Sequence, residues 1–469
     1  MKRLILVIIL IWSTTYVATA QLKSEVSECF ELTSIVFRLA DVQEYVNNQL
    51  PAYTKDIDNY FAKYKDHKLI SFIKEIRNKH AIGYDAVSTA TTFLEIKNGK
   101  VQIKSDVGKF QISQKDNRWA EQDFKTFVGL LNDFYRKTKF RKFYTDHLDL
   151  YRIAEKRLDE VLKDFNIDWF RSLFREEVQN PIVMVSLCNG PNNYALSIPG
   201  EKERNGMVIG SGSDDKGLPY YHKNMIFIIT HEFLHYYTNP LISNFWSHIE
   251  PDAQIIFPHV KEKMDKLAYG SAKTTMLEWF VNLLSIMYVR DNPTGSLSID
   301  YLISGHQNRG FIWMERSVAF MNYFLNNRGV FKTIDDYMPQ IVGLINYTAA
   351  NFEQILHEFN NRHPYVVEVF PAPGSTIKPD IDTITIRFSE PMHGAQGMLP
   401  LNDQNILPIP RAAIPKWGDE DKFTLLIPVD KSKFENGKTY GFKLNKKFFQ
   451  SAKTYPIKED YTFTFNVLE

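Results

Sequence analysis

Along most of the chain as far as Phe359, apolar residues recur every three or four positions, and twice this period gives way to strand-like alternation. Val36, Leu39, Val42, Val46 and Leu50 predict helix between Val36 and Tyr64, and Leu69, Phe72, Ile73 and Ile76 continue it from Lys68 to Asn78. From Thr89 to Ser105 the pattern alternates about Asn98-Gly99, with Phe93, Leu94 and Ile96 before the turn and Val101 and Ile103 after it. That is the signature of a β-hairpin. Helical spacing returns from Trp119 to Arg175, led by Phe124, Phe127, Val128 and Leu131 and reaching Leu158, Val161 and Phe165. Strands follow: the apolar run Ile182–Leu187, the alternating Tyr194–Ile198, and Met207–Ile209 between Gly206 and Gly210. The last of these is either an edge that pairs with an extended peptide or an ordinary strand with glycine-marked ends.

The apolar run Met225–Thr230 should carry a helix into a core, and Asn239-Pro240 should end it. Helices are expected again from Pro251 to about Phe359. Beyond His363 the texture changes to short alternating runs separated by Pro, Gly and Asp, among them Thr383–Phe388, Phe423–Ile427 and Tyr461–Phe465. Such a stretch predicts a β-sandwich. The expected class is therefore α+β: a mixed sheet packed on a helix within residues 21–362, largely helical elsewhere, then an all-β domain at 366–469. There are no convincing repeats, low-complexity stretches or glycine-rich phosphate loops.

Met1-Lys2-Arg3, the apolar Leu4–Trp12 and the small-x-small Ala18-Thr19-Ala20 read as a signal peptide over residues 1–20, cleaved before Gln21. The mature chain should be secreted to a periplasm, a cell surface or the medium, with no transmembrane segment. Losing Lys2 and Arg3 leaves 56 − 2 = 54 basic residues against 55 acidic ones. This near balance argues against nucleic acid as an obligatory partner. Cys29 and Cys188 are the only cysteines, and an exported chain can pair them if the fold brings them together.

The chemistry concentrates at His231-Glu232-Phe233-Leu234-His235. A helix sets residues four apart on one face, so both imidazoles can reach one metal ion, as zinc requires. Glu232 lies about a quarter-turn away, where its carboxylate can act as general base on a water without becoming a ligand. Two histidines need a third ligand. Downstream candidates are His248, Glu250, His259, Glu262 and Glu278. Glu262 sits among lysines, as on a solvated helix face, while His248, Glu250 and His259 stand beside Pro251 and Pro258 in expected loops. Glu278 is surrounded by apolar Met276-Leu277 and Trp279-Phe280-Val281, where an unpaired acid would be costly. It is therefore the preferred ligand, the alternative being a buried ion pair with Arg290 or Arg316. Asn282, one turn on, projects from the same face as a hydrogen-bonding support for a ligand.

With His231-Glu232-x-x-His235 and a glutamate on a later helix, the chain resembles the gluzincin-type HExxH zinc metallopeptidases. The extended metzincin pattern is absent, since Leu241 stands at the third histidine's position and Thr238 at the glycine's. In thermolysin-like gluzincins the glutamate follows sooner, and an aspartate stands where this chain has Asn282. The Asn239-Pro240 helix exit is also similar to that of an uncharacterised group of secreted bacterial proteins suspected to be peptidases. Gluzincins add a Tyr or His from a later segment to hold the oxyanion; Tyr301 and His306 are the candidates, an ordinary surface role being the alternative. The tail, through Pro371–Ser375, Ile386–Met392 and Tyr461–Phe465, resembles bacterial Ig-like domains. Together these resemblances imply a secreted zinc peptidase acting on peptide or protein. The rival is a non-catalytic zincin-like protein that binds a surface or glycan ligand through its tail, where Trp417 is the only tryptophan.

Overall fold

The computed structural model describes residues 22–107, 110–174, 178–393, 398–401, 406–410, 415–418, 420 and 422–469. The expected leader, residues 1–20, lies outside them. The described residues up to Phe165, with Asn180–His222, form one compact unit; Asn166–Gln179 with Lys223–Glu469 form another. The β-rich tail thus clusters with helices of the second unit, while the strands preceding the motif helix belong to the first.

The first unit runs β1 (Ser24–Val26), α1 (Glu28–Leu39), α2 (Pro51–Phe61), α3 (Lys68–His80), α4 (Tyr84–Thr92), β2 (Leu94–Lys97), β3 (Lys100–Ile103), α5 (Ile112–Lys115), α6 (Glu121–Thr138), α7 (Phe140–Asp146) and α8 (Leu148–Leu162). It then adds β4 (Ile182–Val185), β5 (Asn193–Ile198), β6 (Arg204–Ile209), β7 (Gly212–Ser213) and β8 (Pro219–Tyr220). The helical run expected from Val36 is broken, because Asp41 adopts φ 61° and Pro51 opens a new helix. The hairpin turns where expected: Asn98 and Gly99 both have positive φ, as a two-residue primed turn demands. Its first strand starts late, at Leu94, since α4 buries Ala86, Val87, Ala90 and Thr91.

The sheet order is β1-β4-β6-β5. Strand β6, considered above as a peptide-binding edge, is central: β4 pairs with it in parallel and β5 antiparallel. Both its hydrogen-bonding edges are taken, and the edge reading is corrected. The edge strand β1 was not expected from its three residues. It is held by the β4 backbone and by α8, where Asp159 and Glu155 accept hydrogen bonds from Ser24 and Val26. Cys29 and Cys188 are both free thiols.

The second unit contains α9 (Ile167–Leu173), α10 (Met225–Asn244), α11 (Trp246–Lys266), α12 (Ala272–Asp291), α13 (Ile299–Arg309), α14 (Met314–Asn326), α15 (Ile334–Ala350) and α16 (Phe352–Asn360). Two expectations fail here. Helix α10 does not stop at Pro240 but continues to Asn244. An interior proline costs a helix about 3 kcal/mol, but Leu241 and Ile242 beyond it are buried, each worth about 1.5–3 kcal/mol. Likewise Pro251 and Pro258 lie inside α11, so His248, Glu250 and His259 are on a helix rather than in loops. In the tail, β9 (Val366–Phe370), β10 (Thr376–Ile377), β11 (Thr383–Phe388), β12 (Met398–Pro400), β13 (Lys416–Trp417), β14 (Thr424–Pro428), β15 (Thr439–Leu444) and β16 (Tyr461–Val467) form two four-stranded sheets. Their orders are β10-β16-β15-β12 and β13-β14-β11-β9. Ile384, Ile386 and Leu425 from one sheet share a single core with Phe442, Phe463 and Phe465 from the other. The fold is thus mixed α+β with a β-rich C-terminal region. Among the described residues no helix is long and apolar enough to cross a membrane.

The first unit buries one acid completely. Glu31 accepts from the Tyr53 hydroxyl at 2.5 Å and the Leu187 N–H at 2.6 Å, yet burial dominates and raises its carboxyl from 4.5 to about 7. Between these values the unfolded chain has lost the proton that the folded chain keeps, so stability falls as pH rises. We predict a decline on the order of 3 kcal/mol between pH 4.5 and pH 7. Denaturant midpoints at several pH values will show it, and Glu31→Gln should flatten that slope; an equally steep slope in the variant would refute the assignment.

Candidate metal centre

Helix α10 divides its surface cleanly. Ile226, Ile229, Phe233, Leu234, Tyr237 and Leu241 recur at helical spacing and are buried. On the back of this helix, α9 sets Phe170 against Phe233 with ring centroids 4.8 Å apart, and Tyr288 of α12 closes on Phe170. The remaining stripe, Ile228, His231, Glu232, His235 and Asn239, is only partly buried. Helix α12 packs against α10 and is apolar nearly all round, with Trp279 anchored through its indole N–H to Ser317 at 3.1 Å. Ser271 caps its first turn by accepting from the Thr274 N–H at 3.0 Å. Two polar residues on α12, Glu278 and Asn282, meet the partly open stripe of α10.

The two Nε2 atoms of His231 and His235 stand 3.1 Å apart. Glu278 Oε2 is 3.6 Å from His231 Nε2, and Oε1 is 3.7 Å from His235 Nε2. Among the described residues this is the one group of three or more His, Cys, Asp or Glu side chains whose ligand atoms all lie within 4.8 Å of one another. Each side chain is 15–16 % exposed, enough to admit an ion.

The hydrogen bonds around the cluster fix where its lone pairs point. His235 Nδ1 lies 3.3 Å from Asn239 Oδ1, an acceptor, so the tautomer with its proton on Nδ1 donates to it and turns an Nε2 lone pair toward His231. Asn282 gives its amide N–H to the Glu278 backbone carbonyl at 2.7 Å, leaving its oxygen to accept from the His231 ring. Burial, then the neighbouring His235 and His306, push the His231 imidazole well below its ordinary range, so it is neutral at pH 7. Burial also raises the Glu278 carboxyl, opposed by His235 and by a hydrogen bond from Tyr269. The Nε2 atoms of both imidazoles and the Glu278 carboxyl group therefore converge on one point.

These donors fit zinc. Zn–N bonds of about 2.0–2.1 Å and Zn–O bonds of about 2.0–2.2 Å place tetrahedral ligand atoms roughly 3.3–3.5 Å apart. The separations of 3.1, 3.6 and 3.7 Å bracket that range.

A cavity of about 200 Å³ adjoins the cluster. Phe227, Ile228, Leu267 and Phe311 supply apolar wall; His231, Glu232, Tyr269, Asn282, His306 and Arg309 supply the polar groups. The base candidate and a ligand candidate thus border one space.

Residues 13–344, more than half of the chain, match the model of a family described as a domain of unknown function, DUF4932. The chain belongs to the DUF4932 family. No curated protein matches it. The matched span of the DUF4932 domain contains every residue of the cluster and the cavity, and the β-rich tail lies beyond it.

Within this DUF4932 domain the sequence-derived residues are not all brought together. His231, His235 and Glu278 converge, and Glu232, Asn282 and His306 line the adjoining cavity. Tyr301 does not: it is 56 % exposed and does not line the cavity, because five residues of helix turn it away from the face that carries His306. The other ligand candidates are engaged elsewhere. His259 stacks on Phe352 and lies 3.6 Å from Glu353, Glu262 pairs with Lys266 at 2.7 Å, and His248 and Glu250 are exposed. Arg290 and Arg316 pair with Asp291 and Glu358, not with Glu278. Three participants were missed: Asn239, Tyr269 and Arg309. Asn239 was legible, for it stands four residues after His235 as Asn282 does after Glu278; Tyr269, in the turn after α11, carries no periodic signal.

Asn239→Ala and Asn282→Ala should each weaken zinc binding about 10- to 100-fold, the usual effect of removing a group that orients a ligand. Competition with a chromophoric chelator measures this directly. Unchanged affinity in a folded variant would remove that asparagine from the centre.

Proposed function

We propose that this DUF4932 protein is an exported zinc-dependent peptidase, zincin-like in its catalytic region and carrying an Ig-like tail. The observation that carries the reading is the convergence of His231, His235 and Glu278 from two helices beside a cavity that also holds Glu232. When bound there, zinc lowers the pKa of water to about 7 and polarises a carbonyl. His231 and His235 offer Nε2 lone pairs held in place by Asn282 and Asn239, and Glu278 supplies the balancing negative charge. Glu232, one residue from a ligand but outside the triad, takes the proton of the attacking water and returns it to the leaving amine.

His306 has a narrower part. Burial, with help from Arg309, pushes its imidazole down to about 3, so at pH 7 it is neutral and serves as a hydrogen-bond donor rather than an acid. Its ring lines the cavity beside His231 and Glu232, and there it serves the oxyanion of the tetrahedral state. We expect His306→Ala to lower kcat by about 10²–10³ and Tyr301→Phe to leave it unchanged; peptide-cleavage kinetics on the two variants separate these roles, and a Tyr301 defect with a normal His306 variant would reverse the assignment.

The rival, a glycan-binding protein without catalysis, gains little from Trp417. That side chain is partly buried against the tail core, its ring 6.1 Å from Phe388, instead of standing as a platform for a sugar.

Zinc content and peptide cleavage, measured in parallel on wild type, Glu232→Ala and Glu278→Ala, test the reading. Wild type should hold about one zinc per chain; Glu232→Ala should keep the metal and lose at least about 10²-fold in rate, whereas Glu278→Ala should lose both while remaining folded. A wild type without zinc, or a fully active Glu232→Ala, would sink the proposal.

A further inference from the structure

Arg309 ends α13, and the geometry that follows it is tight. Gly310 adopts φ +123°, and a Cβ there would come within 2.5 Å of Met264 Cε, so the chain turns against α11 and places both Arg309 and Phe311 on the cavity wall. A cation in the last turn suits the helix dipole. The dipole does not, however, account for a guanidinium bordering the same space as His231 and Glu232.

Among the described residues no carboxylate forms an ion pair with Arg309, although its charge acts on His231, His306 and Tyr269. Arg309 is exposed and stands at the edge of the cavity, where it brings a positive charge to a space that Glu232 also borders. The neutral His306 ring lines the same space. At about 200 Å³ the cavity is smaller than the roughly 300–1,000 Å³ of pockets for drug-sized ligands. It suits one amino-acid residue better than a length of peptide, and its apolar walls suit an apolar side chain.

Resting on the peptidase reading, we propose that Arg309 receives a substrate carboxylate and that the cavity takes the C-terminal residue of a peptide, with preference for an apolar one. Arg309 is the substrate-binding residue, its planar fork matching a carboxylate through two parallel N–H···O bonds. Cleavage then releases a single C-terminal amino acid. Glu232 and the three ligand candidates keep the parts assigned above.

The test separates binding from turnover. The full-length mature chain, metal-free and as zinc-loaded Glu232→Gln, is titrated calorimetrically with Ac-Ala-Phe, Ac-Ala-Phe-NH2 and Ac-Ala-Glu-NH2. The metal-free arm excludes direct coordination of the carboxylate by zinc. We expect the free acid to bind at least 10-fold more tightly than its amide in both forms, Arg309→Ala to abolish that preference, and Arg309→Lys to retain part of it. Equal binding of acid and amide, an undiminished preference in Arg309→Ala, or no binding of any of the three peptides overturns the proposal. Tight, Arg309-dependent binding of Ac-Ala-Glu-NH2 overturns the terminal assignment in favour of an acidic side chain. A protein that hydrolyses peptides without the carboxylate preference refutes this inference and leaves the peptidase reading standing. A carboxylate preference in a protein that holds no zinc does the reverse.

Discussion

Two imidazole nitrogens held 3.1 Å apart and facing one carboxylate set the terms for the second unit. Asn239 on α10 and Asn282 on α12 stand beside the two rings as hydrogen-bond partners. Lone pairs and a carboxyl group brought this close gain from a shared cation where burial weakens the screening of water. The arrangement persists because α10 and α12 are locked by apolar contacts on their remaining faces, with Phe170, Phe233 and Tyr288 on one side and Trp279 tied to Ser317 on the other. Packing thus imposes the convergence, and a cation is the natural counterpart to it.

The same rigidity extends to the groups that border the cavity. Helix α13 carries His306 and Arg309, and it is fixed from outside by the tail. The Tyr455 hydroxyl donates to Gln307 Oε1 at 2.6 Å, Ser304 meets Thr454, and Gln307 in turn donates to the Ile312 carbonyl at 2.8 Å. Gln307 is buried, so these hydrogen bonds are not readily exchanged for water. Whatever else the β-rich tail does, it braces the helix that supplies the polar end of the cavity. A docking module joined by a free linker would leave no such bonds. The tail is built into the unit that holds the centre.

Much of this was legible from residues alone. The motif spacing placed His231 and His235 on one face, and the apolar run around Glu278 marked an acid that needed a reason to be buried. The hairpin at Asn98-Gly99 and the β-rich tail followed from turn chemistry and alternation. What failed did so for identifiable causes. Pro240, Pro251 and Pro258 read as helix breakers, but local rules cannot weigh a lost N–H against the burial of residues such as Leu241 and Ile242 that tertiary contacts supply. Strand β6 looked like an edge because its length and flanking glycines say nothing of the two strands that pair with it. Tyr301 and His306 share one short helix, and only the rotation of that helix in the assembled unit selects between them. Tyr269 enters the site through a turn, where sequence periodicity carries no information, and Arg309 stands at the last position of α13, three residues after His306.

The contrast between a structural and a catalytic metal site turns on what remains after the ligands are counted. A structural zinc is enclosed by four protein ligands and gains nothing from a neighbouring acid. Here three side chains complete the cluster among the described residues, and the space beside them is a cavity bordered by a second carboxylate, a neutral histidine and an arginine. Under the proposed reading, these polar groups would hold a reacting carbonyl beside the metal, orient it and move a proton.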